Sequence, residues 1–494
     1  MEYNSLVKTM QQIADIYNSI AVLQWDKEVN LPTKGARFRS QQISTLAGIA
    51  HEKFTAPALG AGLAEMQLDS LDDRARRNVS LIRESYEREK KLPTAFVIRR
   101  SQVISACYHA WLQARKGNDF SLFAGPLADM VAVKREQCEI LGYEDHPYDA
   151  LMHEFEPKAK TVEITKLFAD VRQELVAFAQ EIKAKPQVND GFLRKHYDKD
   201  KQWNYGLDIL KAIGYDFEAG RQDISPHPFT TNFSPEDVRV TTRIDEQDLA
   251  NMIWSCIHEG GHALYEQGLP TDQYGLPLGQ YLSLGIHESQ SRLWENNVGR
   301  SQEFWLTHYP DLQATFPENL GSVSLEDFYK AINKVEPNLI RTEADELHYH
   351  FHVLIRFEIE KGLIEGSIDV KDLANIWNAK YKDYLGVDVP DDNRGVLQDV
   401  HWAHGSIGYF PTYSLGSFYA AQFFAQAEND IPGLIEQISA GNTTELLSWL
   451  RTQVHQHGKM YTADELCTRI TGEPLNFNYF MEYARKKFGG IYGL

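Results

Sequence analysis

Cysteine is scarce, with four residues in 494: Cys107, Cys138, Cys256 and Cys467. They are scattered, with no CxxC pair and no framework spacing, so they read as reduced and mostly buried. Positive charge is also short. Fifty Lys and Arg face 69 Asp and Glu, a net charge of -19. That balance disfavours nonspecific binding to nucleic acid or to an anionic membrane, where phosphate contacts need a basic excess. No uncharged apolar run reaches the roughly 18 residues a membrane span requires. The first residues show no basic segment followed by an apolar core, so no signal peptide is read and a cytoplasmic protein is expected. Internal repeats, low-complexity tracts and Gly/Ser linkers are missing too, and no domain boundary stands out.

What is present is a chain with 43% hydrophobic residues, enough for a large core. Helical spacing dominates. Leu6, Met10, Ile13, Ile16 and Ile20 recur on one face. Helices are expected over 37–51, 161–183, 281–297, 325–335 and 338–362. Asp72–Lys91 reads as a solvated helix face, and Thr94 as the cap of the next helix. Leu31–Gly35, Ser225–Phe229, Gly268–Gly279, Asp388–Gly395 and Gly405–Gly416 read as breaks or loops. Asp237-Val-Arg-Val-Thr-Thr-Arg243 alternates β-branched residues and predicts a short strand. The expected class is mainly α, with about 60% helix against a globular average near one third.

The stretch from Trp254 to Glu266 contains His258-Glu259-Gly-Gly-His262. Leu249, Met252, Ile253, Cys256, Ile257, Ala263 and Leu264 give it an apolar helical face, with Asp245, Glu246 and Asp248 at its start. Cys256 lies on that face and reads as core rather than nucleophile. Residues four apart on a helix share a face, so the two imidazoles can converge on one ion at about 2.0–2.1 Å. Glu259 points about 100° away and can reach a metal-bound water without binding the metal. Gly260-Gly261 weakens the helix by roughly 0.8–1 kcal/mol per glycine, which argues for close approach of a neighbouring backbone or substrate.

A catalytic zinc commonly has three protein ligands. Tyr265 and Gly268 stand where an astacin-like site would need a glycine and a third histidine. A carboxylate from a following helix is expected instead, from among Glu266, Asp272, Glu288 and Glu295. Glu266 lies on the same helix as the histidines and fits less well. Glu288 and Glu295 are seven apart, and periodicity does not choose between them.

His258-Glu-Gly-Gly-His262 with His287-Glu288-Ser-Gln290 resembles the carboxypeptidase Taq family of zinc metallocarboxypeptidases. Further motifs of that family recur in order: Leu23-Gln-Trp-Asp-Lys-Glu28, Tyr148-Asp-Ala-Leu151, His227-Pro-Phe229, Asp237-Val-Arg-Val-Thr241, Ile340-Arg-Thr-Glu-Ala-Asp345 and Gly395-Val-Leu-Gln-Asp-Val-His-Trp402. The resemblance runs nearly end to end. It implies a saddle-shaped helical domain over 1–494, related to neurolysin and angiotensin-converting enzyme. That fold has a deep groove between helical lobes and a few short strands beside the metal. It also implies a homodimer that removes single residues from peptide C-termini with broad specificity, poorly from proline. By motif position His258, His262 and Glu288 are the metal ligands and Glu259 the base, with Zn2+ as the ion and Co2+ tolerated.

The expected chemistry is attack of a metal-activated water on the scissile carbonyl, with Glu259 as general base. His404–Tyr413 resembles the glycine-tyrosine loop of the wider fold, so Tyr409 is the expected oxyanion donor, with Tyr413 and His401 in reserve. An exopeptidase must also sense a free carboxylate, which an arginine fork does well. Arg341, on an expected helix, is preferred and Arg239 is second, against ion pairing of Arg341 with Glu343, Asp345 or other acids. His227 and Arg239 are alternatives for closing the groove, and His287 is expected to orient Glu288. The competing readings are an endopeptidase or dipeptidase on the same scaffold, or a helical binding protein without activity. An aminopeptidase is disfavoured, since no Gly-x-Met-Glu-Asn element is present.

Overall fold

A computed structural model describes residues 1–494. The chain is mainly helical, with 68% of residues in helices and one small sheet. It forms two compact units, each assembled from three separated stretches. The first comprises Met1–Glu89, Asn189–Ile332 and Tyr419–Asn476; the second comprises Lys90–Val188, Asn333–Phe418 and Phe477–Leu494. No helix is long and apolar enough to cross a membrane.

In the first unit, the helix Tyr3–Val29 buries Leu6, Ile13, Ile20 and Trp25. Its neighbour Ala36–Phe54 follows the break at 31–35. Asp73–Lys91 is helical, with its charged face outward and the opposite face buried. Ala75, Asn78, Val79, Ile82 and Tyr86 are buried, because a three-to-four spacing of small and apolar residues runs under its charges. Three strands, β1 (Gly220–Ile224), β2 (Thr230–Ser234) and β3 (Asp237–Thr242), pair in the order β1-β3-β2, parallel and then antiparallel. Only β3 is legible from alternation; its Val238 and Val240 are buried.

Against β2 and β3 packs the metal helix, Leu249–Gln267. Asp248 starts it by accepting the Ala250 N–H at 3.1 Å. Asp245 is used one turn earlier, accepting from Gln247 N. The two glycines have different neighbours. A Cβ on Gly261 would lie 2.7 Å from the Gln290 carbonyl oxygen and from Ser291 Cα, so backbone touches backbone there. One on Gly260 would meet the side-chain ends of Ile213 and Leu210 at 2.6 and 2.9 Å. Gly261→Ala is therefore expected to cost about 1–3 kcal/mol through overpacking, and Gly260→Ala less, because side-chain ends yield more easily than backbone. Urea midpoints of the two variants decide this, and equal midpoints would refute it.

The segment expected as one helix over 281–297 starts at Leu284, where Ser283 accepts the Ile286 N–H. After Arg292 it widens into a π-helical turn, Leu293–Gly299. A seven-residue separation across that turn no longer means one common direction.

In the second unit, Thr94–Gly117 pairs with Ser121–Leu141. Thr94 is the first helical residue and its side chain makes no cap. The helix expected over 338–362 begins only at His348. Asn338 accepts from Ile340 N, and Asp345 accepts from Leu347 N and His348 N. These short polar side chains take over the backbone donors and leave Arg341–Glu343 as a 3-10 turn. The loop expected over 405–416 ends early, since Pro411 opens the helix Pro411–Asp430, where a missing N–H costs nothing.

Candidate metal centre

The i, i+4 spacing on the metal helix puts the rings of His258 and His262 4.9 Å apart. The contact at Gly261 brings in the next helix, and with it Glu288. Its Oε2 lies 3.8 Å from His258 Nε2 and 3.4 Å from His262 Nε2. Ligand atoms of the three residues all lie within 4.8 Å of one another. Around a tetrahedral ion with bonds of about 2.0–2.1 Å, such atoms are about 3.3–3.4 Å apart. Two nitrogens and one carboxylate oxygen form a donor set that suits zinc and neighbouring divalent ions.

The hydrogen bonds behind the ligands aim their lone pairs inward. His258 Nδ1 donates to Glu295 Oε2 at 2.9 Å, which leaves Nε2 bare. His262 is backed differently. His287 Nε2 donates to Glu266 Oε1 at 2.8 Å, so its Nδ1 can accept from His262 Nδ1, 2.5 Å away. Glu266 also accepts from Asn232 on β2. The network thus assigns the same tautomer to both candidate ligands.

His287 does not turn toward the Glu288 carboxylate as expected. Successive helical residues point about 100° apart, so the neighbour of Glu288 faces His262 and Glu266 instead. Of the four candidate third ligands, Glu295 meets the outer nitrogen of His258 and Glu266 backs His287. Asp272 is exposed and paired with Arg74 at 2.9 Å.

Two arginines sit against Glu288 and Glu295. Arg292 donates to Glu288 Oε1 at 2.7 Å and to Glu295 Oε2 at 3.0 Å, and Arg300 donates to Glu295 Oε1 at 3.1 Å. Burial pushes both carboxyls up, but Arg292 and the imidazoles outweigh it, so both titrate well below the usual range. His262 is pulled down to about 3 by burial and by His287. Glu259 is 8% exposed. Burial raises its pKa, against the pull of His258 and of Thr230, whose hydroxyl lies 2.6 Å from Oε2. Burial pushes the Cys256 thiol up to about 12 beside Gln222 and Met252, as a packed core residue requires. All four cysteines are free and buried.

The remaining expected site residues, His227 apart, are engaged with acids or aromatic rings. Arg239 makes a two-pronged pair with Asp237, at 2.9 Å each, and stacks on Trp25 and Phe233. His227 is exposed.

In the second unit, Arg341 is 6% exposed. Its Nε and Nη2 donate to Asp399 Oδ1 at 3.1 and 2.9 Å, and Nη1 donates to Tyr349 at 3.0 Å. Its acidic partner is Asp399, neither Glu343 nor Asp345. Asp345 is occupied with the start of the following helix and with His348. Arg356 donates to the other Asp399 oxygen at 2.6 Å. His401 Nε2 lies 3.3 Å from the Tyr413 hydroxyl, and the Tyr409 ring lies 5.3 Å from His401 and 5.1 Å from Tyr413. Burial holds His401 down at about 3.

Sequence reasoning missed Thr230, Asn232, Arg292, Arg300 and Asp399. Arg292 carries a local signal, being four residues after Glu288 on one helix. Thr230 and Asn232 carry none, because strand register brings them in.

A family model described as carboxypeptidase Taq (M32) metallopeptidase matches residues 5–488. The chain is 39% identical to thermostable carboxypeptidase 1 of Thermus thermophilus, over 99% of each chain. Among solved structures it is similar to an M32 carboxypeptidase from Deinococcus radiodurans R1. The identity is 38% and the TM-score 0.97, over 100% of this chain and 99% of that one. It is likewise similar to Pyrococcus furiosus carboxypeptidase in an apo-Mg structure, at 35% identity and TM-score 0.95, over 98% of each.

Proposed function

Given that the chain belongs to the carboxypeptidase Taq (M32) metallopeptidase family, and is thus a metallocarboxypeptidase dependent on a divalent metal, we propose that it releases single residues from peptide C-termini at a zinc ion held by His258, His262 and Glu288. The observation that carries this is the meeting of two bare Nε2 atoms and one Glu288 oxygen, each ligand locked from behind. Specificity is broad, with proline released poorly, and Co2+ substitutes for Zn2+.

A divalent ion bound there polarises a carbonyl and makes water nucleophilic near neutral pH. Glu259 Oε2 would take a proton from the attacking water and return it to the leaving amine. The Thr230 hydroxyl at 2.6 Å fixes the rotamer of Glu259 for this transfer. Tyr409 supplies a hydrogen bond to the developing oxyanion, with Tyr413 and His401 as its ring neighbours.

For the substrate's terminal carboxylate Arg341 is preferred to Arg239. Arg341 and Arg356 share a single Asp399, so two guanidinium charges face one carboxylate. Arg239 is matched one to one by Asp237. His227 and Tyr413 serve as further substrate contacts.

Mass spectrometry of a peptide digest tests the reading. The expected result is a ladder shortened one residue at a time from the C-terminus, stopped by a chelator and absent when the C-terminus is amidated. Internal cleavage of the amidated peptide would replace this reading with an endopeptidase.

A further inference from the structure

Glu360 is fully buried on the helix His348–Glu365. No role assigned so far involves it. Its carboxylate gathers three donors from two stretches, one on the helix Pro147–Met152 and two in the loop before Pro411. The Tyr148 hydroxyl and the Gly408 backbone N–H donate to Oε2 at 2.6 and 2.9 Å, and the Trp402 indole donates to Oε1 at 2.8 Å. Buried carboxylates are ordinarily held by an opposite charge. Here every direct partner is a neutral donor. The charged groups facing it are Arg356, one turn back on the same helix, and Lys134 on Ser121–Leu141; Tyr148, on Pro147–Met152, is the titratable neighbour.

Gly408 is where this arrangement meets the loop. Its φ is +104°, and a Cβ there would lie 2.9 Å from Leu151 C and Met152 N. The loop is thus pressed against the backbone of the short helix that also carries Tyr148. The next residue is Tyr409, whose ring is set among Phe155, His401 and Tyr413 at 5.2, 5.3 and 5.1 Å.

We propose that Glu360 is a positioning residue for peptide hydrolysis: by holding the Gly408 N–H it sets the Gly408–Tyr409 loop and aims the Tyr409 hydroxyl, so the proposal rests on the donor role given to Tyr409. Burial pushes Glu360 up to about 7, against the pull of its three hydrogen bonds and of Arg356. The ionised carboxylate accepts shorter and stronger bonds than the acid does. A proton on Oε2 would set an O–H against the donors from Tyr148 and Gly408. The hold on the loop therefore loosens as pH falls through about 7.

The test compares the metal-loaded wild-type enzyme with Glu360→Gln, Tyr148→Phe and Tyr409→Phe, reading kcat and KM separately from pH 5.5 to 9. Glu360→Gln mimics the protonated form. It should lower kcat about 10- to 100-fold, as a misplaced catalytic group does, with KM within about threefold and with the wild-type fall in kcat near pH 7 flattened. Tyr148→Phe removes a bond that favours the ionised form and should move that fall to higher pH; it also serves if Glu360→Gln does not fold. Adding Glu360→Gln to Tyr409→Phe should change little further. A folded, metal-replete Glu360→Gln with wild-type kcat and pH profile overturns the proposal. So does an unshifted profile in Tyr148→Phe. If Tyr409→Phe is fully active, the reading of Tyr409 fails by itself, and a slow Glu360→Gln then acts by another route, which also overturns the proposal.

Discussion

Glu259→Gln is expected to turn over at least ~100-fold more slowly than the wild type while keeping its metal, the loss that follows removal of a general base. The substitution is nearly isosteric. The amide oxygen can still accept from Thr230, which reaches the Glu259 carboxylate at 2.6 Å. It also removes a charge whose burial is unfavourable, since burial is the main cause of the raised Glu259 pKa. The protein should therefore fold at least as well as the wild type. The proposed ligands His258, His262 and Glu288 are untouched, so metal content measured by elemental analysis should not fall. Full activity would refute the role assigned to Glu259. Loss of metal along with activity would show that the residue supports the site rather than moving protons.

The largest loss of stability is expected from Asp399→Asn. Asp399 lies between the guanidiniums of Arg341 and Arg356, both buried. Removing one partner of a buried ion pair leaves uncompensated charge and costs about 3–5 kcal/mol; here two cations share the loss. The pH dependence has a definite sign. Burial pushes the Asp399 carboxyl up, but the two arginines outweigh it and hold it well below its ordinary 3.8. Its contribution is then full above about pH 4 and is lost as pH falls toward the folded-state value. Urea midpoints of wild type and variant should differ most at neutral pH and converge in acid. A constant difference from pH 7 to pH 3 would refute this account.

Some of this protein was open to reading from single stretches. The periods of 3.6 and 2 are local properties, so 161–183 was found as the helix Thr161–Lys183 and 237–243 as β3. Where local hydrogen bonding competes, reading failed. Asn338 and Asp345 keep ten residues before His348 out of the helix, and the helical pattern around them conceals it. The strands β1 and β2 escaped notice because each needs its partner β3 to be a strand at all.

The sequence by itself determined the chemistry on offer. Two imidazoles four residues apart and a carboxylate beside the first follow from helix geometry, which a single turn imposes wherever the helix lies. Only the tertiary structure decided which distant groups complete it. Glu288 rather than Glu295 meets both Nε2 atoms because Gly261 admits a neighbouring backbone and a π-helical turn redirects Glu295. Thr230, Asp399 and Glu360 gain their partners across dozens to hundreds of residues, through close packing that no spacing along the chain encodes.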